Sequence, residues 1–181
     1  LPRPLDRIAR KIAGIVVVAS AGNKGRGANG QTQYGAIGSP GNAPWVITVG
    51  ASSHNGTVLR QDDTIAGFSS RGPTRFDFGA KPDLVAPGHG IVSMSDPVSL
   101  FYTTKASYLL GGLRSTSYAP YLTLSGTSMA APVVAGTVAL MLQANPSLTP
   151  NLVKAILQFT SQEYPGYDAL TQGTGFLNTR G

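Results

Sequence analysis

The stretch from Leu124 to Leu142 constrains the fold more than any other part of the sequence. It opens with small residues, Ser125 to Thr127, and continues as a mainly apolar run. This pattern predicts a buried helix over 128–143. The helix should end there because the proline of Asn145-Pro146 disfavours a helical residue ahead of it.

Ser128 stands at the start of this helix and is a candidate nucleophile. A serine there lies near unpaired backbone N–H groups and the positive end of the helix dipole, which favour developing negative charge. Gly126, Ala130 and Ala131 leave room for a substrate backbone to come close. The alternative is that Ser128 only caps a core helix, because serine and threonine are preferred N-cap residues.

A second constraint is the segment Ile15–Asn23. It begins with the continuous β-branched run Ile15–Val18 and ends at Gly22-Asn23. Such a run is typical of a strand buried on both faces of a parallel sheet. The residues before it predict a short amphipathic helix, so helix and strand form the αβ step of an α/β fold. The remaining pattern predicts helix 3–12, strand 14–20, loop 22–43, strand 45–50, short strands within 67–94 and helix 150–160.

These motifs together resemble those of the subtilisin-like serine proteases, the subtilases. The run Leu124–Gly136 resembles their active-serine motif, and Ile15–Asn23 resembles a strand that ends in Ala-Gly-Asn. Further matches are Ala43–Ala51, Phe68–Pro73, Lys81–Gly88 and Gly173–Asn178. The resemblance, which runs from about residue 10 to 178, implies a three-layer α/β fold with a mostly parallel sheet. It also implies a serine endopeptidase that acts on polypeptides.

The resemblance also implies roles for individual residues. Ser128 would be the nucleophile, and the amide of Asn23 would bind the oxyanion of the tetrahedral intermediate. Without the resemblance, Asn23 would be interpreted as a turn former. The implied substrate-binding residues are Ser20, Ala21, Gly22, Gly38 and Gly126. Small residues at the pocket positions favour a pocket for large apolar side chains.

The catalytic base and its acid do not stand where the family has them. In subtilases the aspartate and histidine precede the oxyanion asparagine, yet only Asp6 and no histidine precedes Asn23. His54 and His89 lie in turn-like segments and are predicted to be surface residues. Asp83 is predicted to have a buried hydrogen-bonding role.

Residues 1–181 are therefore predicted to be the C-terminal portion of a single catalytic domain whose N-terminal half is absent. That absent segment would supply the aspartate and the histidine. The alternative is a catalytically inert fragment or pseudoprotease that only binds peptides or partner chains. An esterase-type hydrolase is disfavoured because the chain has no Gly-x-Ser-x-Gly elbow.

The split sheet should leave an open edge and an uncovered apolar face around Val16–Val18 and Val46–Val49. The expected partner is the N-terminal half of the domain, or another chain that covers this surface. The connection 95–122 is either a surface hairpin or part of the substrate cleft, and the sequence leaves both open.

Charge and composition narrow the other function classes. The net charge of +6 comes from scattered lysines and arginines, which does not indicate nucleic-acid binding. The glycines of Gly25–Gly30 match a dinucleotide fingerprint in spacing, but no helix pattern follows them. No uninterrupted apolar segment is long enough to predict a membrane span. No cofactor is identified, although the resemblance makes calcium possible, and a secreted or extracytoplasmic location is the family's habit.

Overall fold

The computed structural model describes residues 14–180, so the predicted helix 3–12 lies outside the described residues. Its central sheet contains the strands β1 (Val18–Ser20), β2 (Ile47–Ser53), β3 (Thr64–Ile65) and β4 (Leu84–Pro87). Strand β2 pairs in parallel with both β1 and β4, and β3 joins its C-terminal end in antiparallel fashion. The predicted parallel sheet is confirmed in these pairings.

The two predicted buried strands form, with shifted bounds. The first is shorter than predicted, and the second begins two residues later than position 45. The Val46 N–H donates to the Ala43 carbonyl and closes a turn there, so pairing starts when the Ile47 N–H reaches the Val17 carbonyl.

A second, antiparallel sheet contains the strands β5 (Ile91–Met94), β6 (Leu109–Leu110) and β7 (Tyr121–Leu124), in the order β5-β7-β6. The connection between β5 and β7 also carries a short helix, α1 (Leu100–Thr104), which the Ser99 side chain caps. Most side chains of this connection are exposed. The connection 95–122 forms a surface hairpin with a small helix in it, and its residues Ser95, Asp96, Ser99 and Phe101 also line a cavity with Met129. The second alternative, a part in the substrate cleft, stays a prediction.

Two longer helices cover one face of the central sheet. Helix α2 (Thr127–Ala144) starts and ends one residue outside the predicted range. Helix α3 (Pro150–Thr160) has the predicted bounds, with Pro150 in its first turn and the Thr149 hydroxyl accepting from the Leu152 N–H. A final short helix is α4 (Ala169–Gln172).

The core follows from the period of two along β4. Leu84 and Ala86 face the helices, where they pack with Val134 of α2 and Leu157 of α3. Val85 points to the opposite face, where its cluster includes Phe176. Successive strand residues alternate between faces, so three consecutive buried residues supply two separate layers of packing.

The expected uncovered face is wrong for one of its two segments, and one expected buried residue is exposed. Val46–Val49 is fully or almost fully buried, whereas Val16–Val18 are half-buried and Ile15 is 55% exposed. The uncovered part of this strand pair therefore lies at and before β1, as expected, and not along β2, because β4 and the helices enclose β2. Leu152, which the helical pattern assigns to the buried stripe of α3, is 48% exposed.

Helix α2 is long and apolar enough to cross a membrane by length and composition alone. Ala130, Val134 and Val138 of this helix are buried in the core over the sheet. The core helix of a soluble protein passes the same test, so the finding is weak and carries no assignment to a membrane.

Candidate active site

Ser128 is the second residue of helix α2, and its side chain is exposed. The N-cap position belongs to Gly126, at a φ of 156°, and no side chain caps the helix. The interpretation of Ser128 as an N-cap is therefore wrong. The Gly126 N–H donates to the Gly88 carbonyl at 2.8 Å, which holds the turn before the serine against the loop that follows β4.

The side chain of Asn23 is held by the residue that precedes Ser128. The Asn23 Oδ1 accepts from the Thr127 backbone N–H and from the Thr127 Oγ1, both at 2.9 Å. The same Oγ1 accepts from the Gly22 N–H at 3.1 Å. A backbone N–H can only donate, so the atom facing it must be the amide oxygen. The orientation of the carboxamide follows from this pairing.

The amide nitrogen of Asn23 consequently faces the other way, towards Gly126. A Cβ placed on Gly126 would lie 3.3 Å from the Asn23 Nδ2, so the open side of this donor borders a residue without a side chain. Among residues 14–180, no acceptor is hydrogen-bonded to Nδ2. Together with the N–H groups at the start of α2, this amide can stabilise negative charge that develops beside Ser128.

Thr127 is the residue that sequence reasoning missed at this site. The sequence analysis placed it only in a turn of small residues, yet its side chain is fully buried. It bonds to both residues of the Gly22-Asn23 pair, 104 positions or more away along the chain. A buried threonine next to an exposed serine gives no signal of such a contact in one sequence.

A cavity of about 280 Å³ adjoins Asn23, and its lining includes Gly22 and Gly38 from the predicted pocket. Ser20 and Ala21 do not line this cavity. Ala21 is fully buried, and its carbonyl accepts from the Gly38 N–H at 3.0 Å. The structure thus brings the predicted pocket segments together through the backbone. The lining also includes two cations that the sequence analysis did not include, Lys24 and Arg75.

No base is paired with the serine in the described part of the chain. Within residues 14–180, no side chain is hydrogen-bonded to the Ser128 Oγ. The His54 Nδ1 accepts from the Gly56 N–H at 3.1 Å, inside its own turn. His89 is exposed and stacks on Phe68 with ring centroids 6.2 Å apart. His89 is exposed, as predicted for a surface residue, whereas His54 is half-buried.

Asp83 has the predicted buried hydrogen-bonding role. Its Oδ2 accepts from the Thr48 N–H at 2.7 Å and from the Lys81 Nζ at 2.6 Å, and its Oδ1 lies 2.9 Å from the Lys154 Nζ. Burial lowers the pKa of Lys81 from its ordinary value of 10.5 to about 8, although the hydrogen bond and charge of Asp83 oppose this shift. The cluster ties β2, β4 and α3 together and lies apart from the serine.

The part of the chain that the structure describes contains no set of side chains that could bind a metal ion. Over residues 14–180 there is no group of three or more histidine, aspartate or glutamate side chains placed to hold a metal ion. The described residues therefore do not fit a carboxylate-rich calcium site.

Comparison with known proteins places this geometry in a family. The chain matches the Subtilase family over residues 4–176. It is 44% identical over 166 residues to the serine protease AprX of Bacillus subtilis (strain 168), covering 92% of this chain and 34% of that protein. It is 34% identical over 205 residues to pyrolysin of Pyrococcus furiosus, covering 96% and 13% of the two chains. The chain thus spans about a third or less of these relatives.

Solved structures of proteases also resemble this chain. Fervidolysin from Fervidobacterium pennivorans, described as a keratinolytic enzyme related to subtilisin, superposes with a TM-score of 0.62 at 31% identity. The match covers 92% of this chain and 22% of that one. A protease from Pseudoalteromonas arctica gives a TM-score of 0.61 at 29% identity, with 92% and 41% covered.

The chain belongs to the subtilase family, whose members are serine proteases of the hydrolase class. The predicted subtilisin-like α/β fold is confirmed by these neighbours. Polypeptides are the substrate class that this family implies.

Proposed function

We propose that this chain supplies the nucleophile and the oxyanion donor of a subtilisin-type serine endopeptidase. Ser128 is the nucleophile and Asn23 is the donor. One observation carries the proposal: Thr127 binds the Asn23 Oδ1 and so leaves the Nδ2 open beside the start of helix α2. Family membership supports the same assignment.

The reaction is acyl transfer in two stages. A base removes the Ser128 Oγ proton as this oxygen attacks the carbonyl carbon of the scissile peptide bond. The carbonyl oxygen becomes negative and is stabilised by the Asn23 Nδ2 and the Ser128 backbone N–H. The amine leaves with the proton from the base, and water then releases the acyl group by the reverse sequence.

Substrate positioning falls to the small residues around these groups. Gly22 and Gly38 border the cavity that receives the side chain of the acyl residue. Ser20 and Ala21 lie behind it and act through the backbone, since the Ala21 carbonyl accepts from the Gly38 N–H. Gly126 leaves space for the substrate backbone because a side chain there would crowd the Asn23 amide. The positive φ of Gly126 also disfavours any other residue.

The base and its orienting acid come, in this proposal, from an N-terminal segment of the same catalytic domain, of which residues 1–181 are the C-terminal portion. Serine is a poor nucleophile without an adjacent base. His54 and His89 are engaged elsewhere. The chain spans 34% of the length of its Bacillus subtilis relative, which leaves ample sequence for such a segment.

Helix α2 offers a surface against which that segment can pack. The helix is apolar on all sides, and such a helix is normally buried all round. Yet Ala135, Gly136, Ala139 and Leu140 are exposed, Leu140 by 58%. Among residues 14–180, strand β1 pairs only with β2, so no described strand lies along its other edge. The N-terminal half of the domain, or another chain in its place, covers this helix face and this strand edge.

A second candidate is a catalytically inert fragment or pseudoprotease that only binds peptides or partner chains. The absence of a hydrogen-bonded base at Ser128 within residues 14–180 favours it for the chain taken alone. The proposal also includes a secreted or extracytoplasmic location, and a calcium site elsewhere in the parent protein. Both rest on the habits of the family.

Labelling with a fluorophosphonate tests the proposal. We expect the 181-residue chain, at confirmed intact mass, to react negligibly, and the full-length parent protein to be labelled stoichiometrically at Ser128. The parent with Ser128→Ala should not be labelled, while His54→Ala and His89→Ala should label within a few-fold of the parent rate.

The parent should also cleave internal bonds of an unfolded polypeptide, as an endopeptidase does. Rapid labelling of the chain alone would show that a base is present in it. A parent that is neither labelled nor proteolytic would support the inert alternative.

A further inference from the structure

Two cationic residues are among those that line the cavity beside Asn23. They are Lys24 and Arg75, and none of the described residues that line the cavity is acidic. We propose that this pocket selects an acidic side chain, glutamate above all, in the substrate residue whose carbonyl Ser128 attacks. The inference rests on the proposed function, because it assigns the substrate class of that same site.

Hydrogen bonds hold the backbone around the pocket, so the Cα positions of Lys24 and Arg75 are fixed. The Lys24 N–H donates to the buried Ser70 Oγ at 3.0 Å. On the other side, Thr74 closes the loop that carries Arg75: its N–H donates to the Gly79 carbonyl at 3.0 Å, and its Oγ1 accepts from the Gly79 N–H at 2.7 Å. The backbone that carries both cations is therefore held in place next to the cavity.

The acids in the neighbourhood are engaged elsewhere. Asp77, on the same loop as Arg75, accepts from the Thr74 hydroxyl. Asp168 accepts from the Tyr34 hydroxyl at 2.6 Å. Within the described residues 14–180, the ion pairs all involve Asp83, so neither Lys24 nor Arg75 has a carboxylate partner. A substrate carboxylate would supply the missing counter-charge.

The cavity has room for one side chain of this length. Its volume of about 280 Å³ compares with roughly 30 Å³ per water molecule in the liquid. Gly22 and Gly38 are among the residues that line it, and the sequence analysis expected such small residues to favour a large apolar group. The positive charges of Lys24 and Arg75 change that expectation, because they attract a carboxylate at the end of a substrate side chain and repel a lysine.

The expected change in substrate preference is modest because both cationic side chains are exposed to solvent. Lys24 and Arg75 are exposed, and exposed ion pairs contribute modestly and are screened by salt. We expect each cation to change the preference for glutamate over glutamine by about two- to fivefold. Glutamate and glutamine have nearly the same size, so their ratio isolates the charge.

The test uses the full-length parent and peptides that differ only at the acyl residue: glutamate, glutamine, leucine or lysine. We expect kcat/KM for glutamate to exceed that for glutamine by about fivefold or more at low salt, with lysine the poorest substrate. Lys24→Gln and Arg75→Gln should each lower the glutamate-to-glutamine ratio by about two- to fivefold. Lys105→Gln, on the exposed hairpin, is the matched control and should leave the ratio unchanged.

A binding measurement keeps this inference separate from the proposed chemistry. The parent with Ser128→Ala is titrated with the same glutamate and glutamine peptides, which then remain intact, by calorimetry. Tighter binding of the glutamate peptide, weakened by Lys24→Gln and Arg75→Gln, supports the pocket assignment even if the parent proves inactive. Equal affinity for the two peptides, or a ratio that neither substitution moves, overturns it.

Discussion

Replacing Asp83 by asparagine should destabilise the protein more than any other single change in its buried ion cluster. The carboxylate is 5% exposed and holds two lysines, Lys81 at 2.6 Å and Lys154 at 2.9 Å. Asp83→Asn keeps the shape of the side chain and an acceptor for the Thr48 N–H, but it removes the one negative charge that the described residues supply to the cluster. Two cations then remain beside each other without a counter-ion.

The magnitude follows from what is left behind. Removing one partner of a buried ion pair typically costs about 3–5 kcal/mol because the remaining charge is uncompensated. Since the Thr48 hydrogen bond survives, we expect Asp83→Asn to cost about 3–4 kcal/mol. That is a large share of the roughly 5–15 kcal/mol that stabilises a typical domain.

Lys81→Met is the matched control. It leaves Asp83 paired with Lys154, so the cluster becomes neutral, and it removes a lysine whose pKa burial already lowers to about 8. The methionine stem fills much of the same space. We expect a cost below about 1.5 kcal/mol, the loss of one hydrogen bond to the Val46 carbonyl being the main term.

Urea unfolding of the full-length parent, followed by circular dichroism, measures the difference. Both substitutions are made in a Ser128→Ala background so that self-digestion does not intervene. The free energies of unfolding are compared at pH 7 with m-values checked for a common unfolded state. If Asp83→Asn costs no more than Lys81→Met, the charge reasoning for this cluster is refuted.

Two further predictions concern pH and the oxyanion donor. The pKa of Lys81 is lower in the folded state than its ordinary 10.5, so the unfolded chain binds more protons between pH 8 and 10.5. The free energy of unfolding should therefore rise with pH in this window by about 1–2 kcal/mol relative to Lys81→Met. The full pKa shift would give an upper limit near 3 kcal/mol, which screening lowers. Urea titrations at pH 7.5 and 10 measure the stability difference between the two proteins, and a difference that stays equal or falls contradicts this prediction. Thr127→Val removes one of the two hydrogen bonds that orient Asn23, so kcat should fall about 3- to 10-fold with KM unchanged. Thr137→Val, in the same helix, should leave both constants unchanged, and a rise in KM for Thr127→Val would assign Thr127 to substrate binding instead.

Local patterns in the sequence determined much of the framework. Thr149 and Pro150 start helix α3 where the capping rules place them, since both act on the first turn of their own helix. The apolar run after Ser128 forms a core helix within one residue of its predicted bounds. The burial of Asp83 was also foreseen. These features depend on neighbours within a few residues or on motifs shared by a family.

The tertiary structure alone decided which distant residues meet. The orientation of the Asn23 amide depends on Thr127, which the chain brings to it from 104 positions away. Lys24 and Arg75 line the same cavity only because two separate loops border it. Hydrophobic periodicity describes one element at a time, whereas side-chain contacts arise where elements pack. The chemistry of the serine could therefore be predicted from its motif, while the charge of the pocket beside it came from the fold.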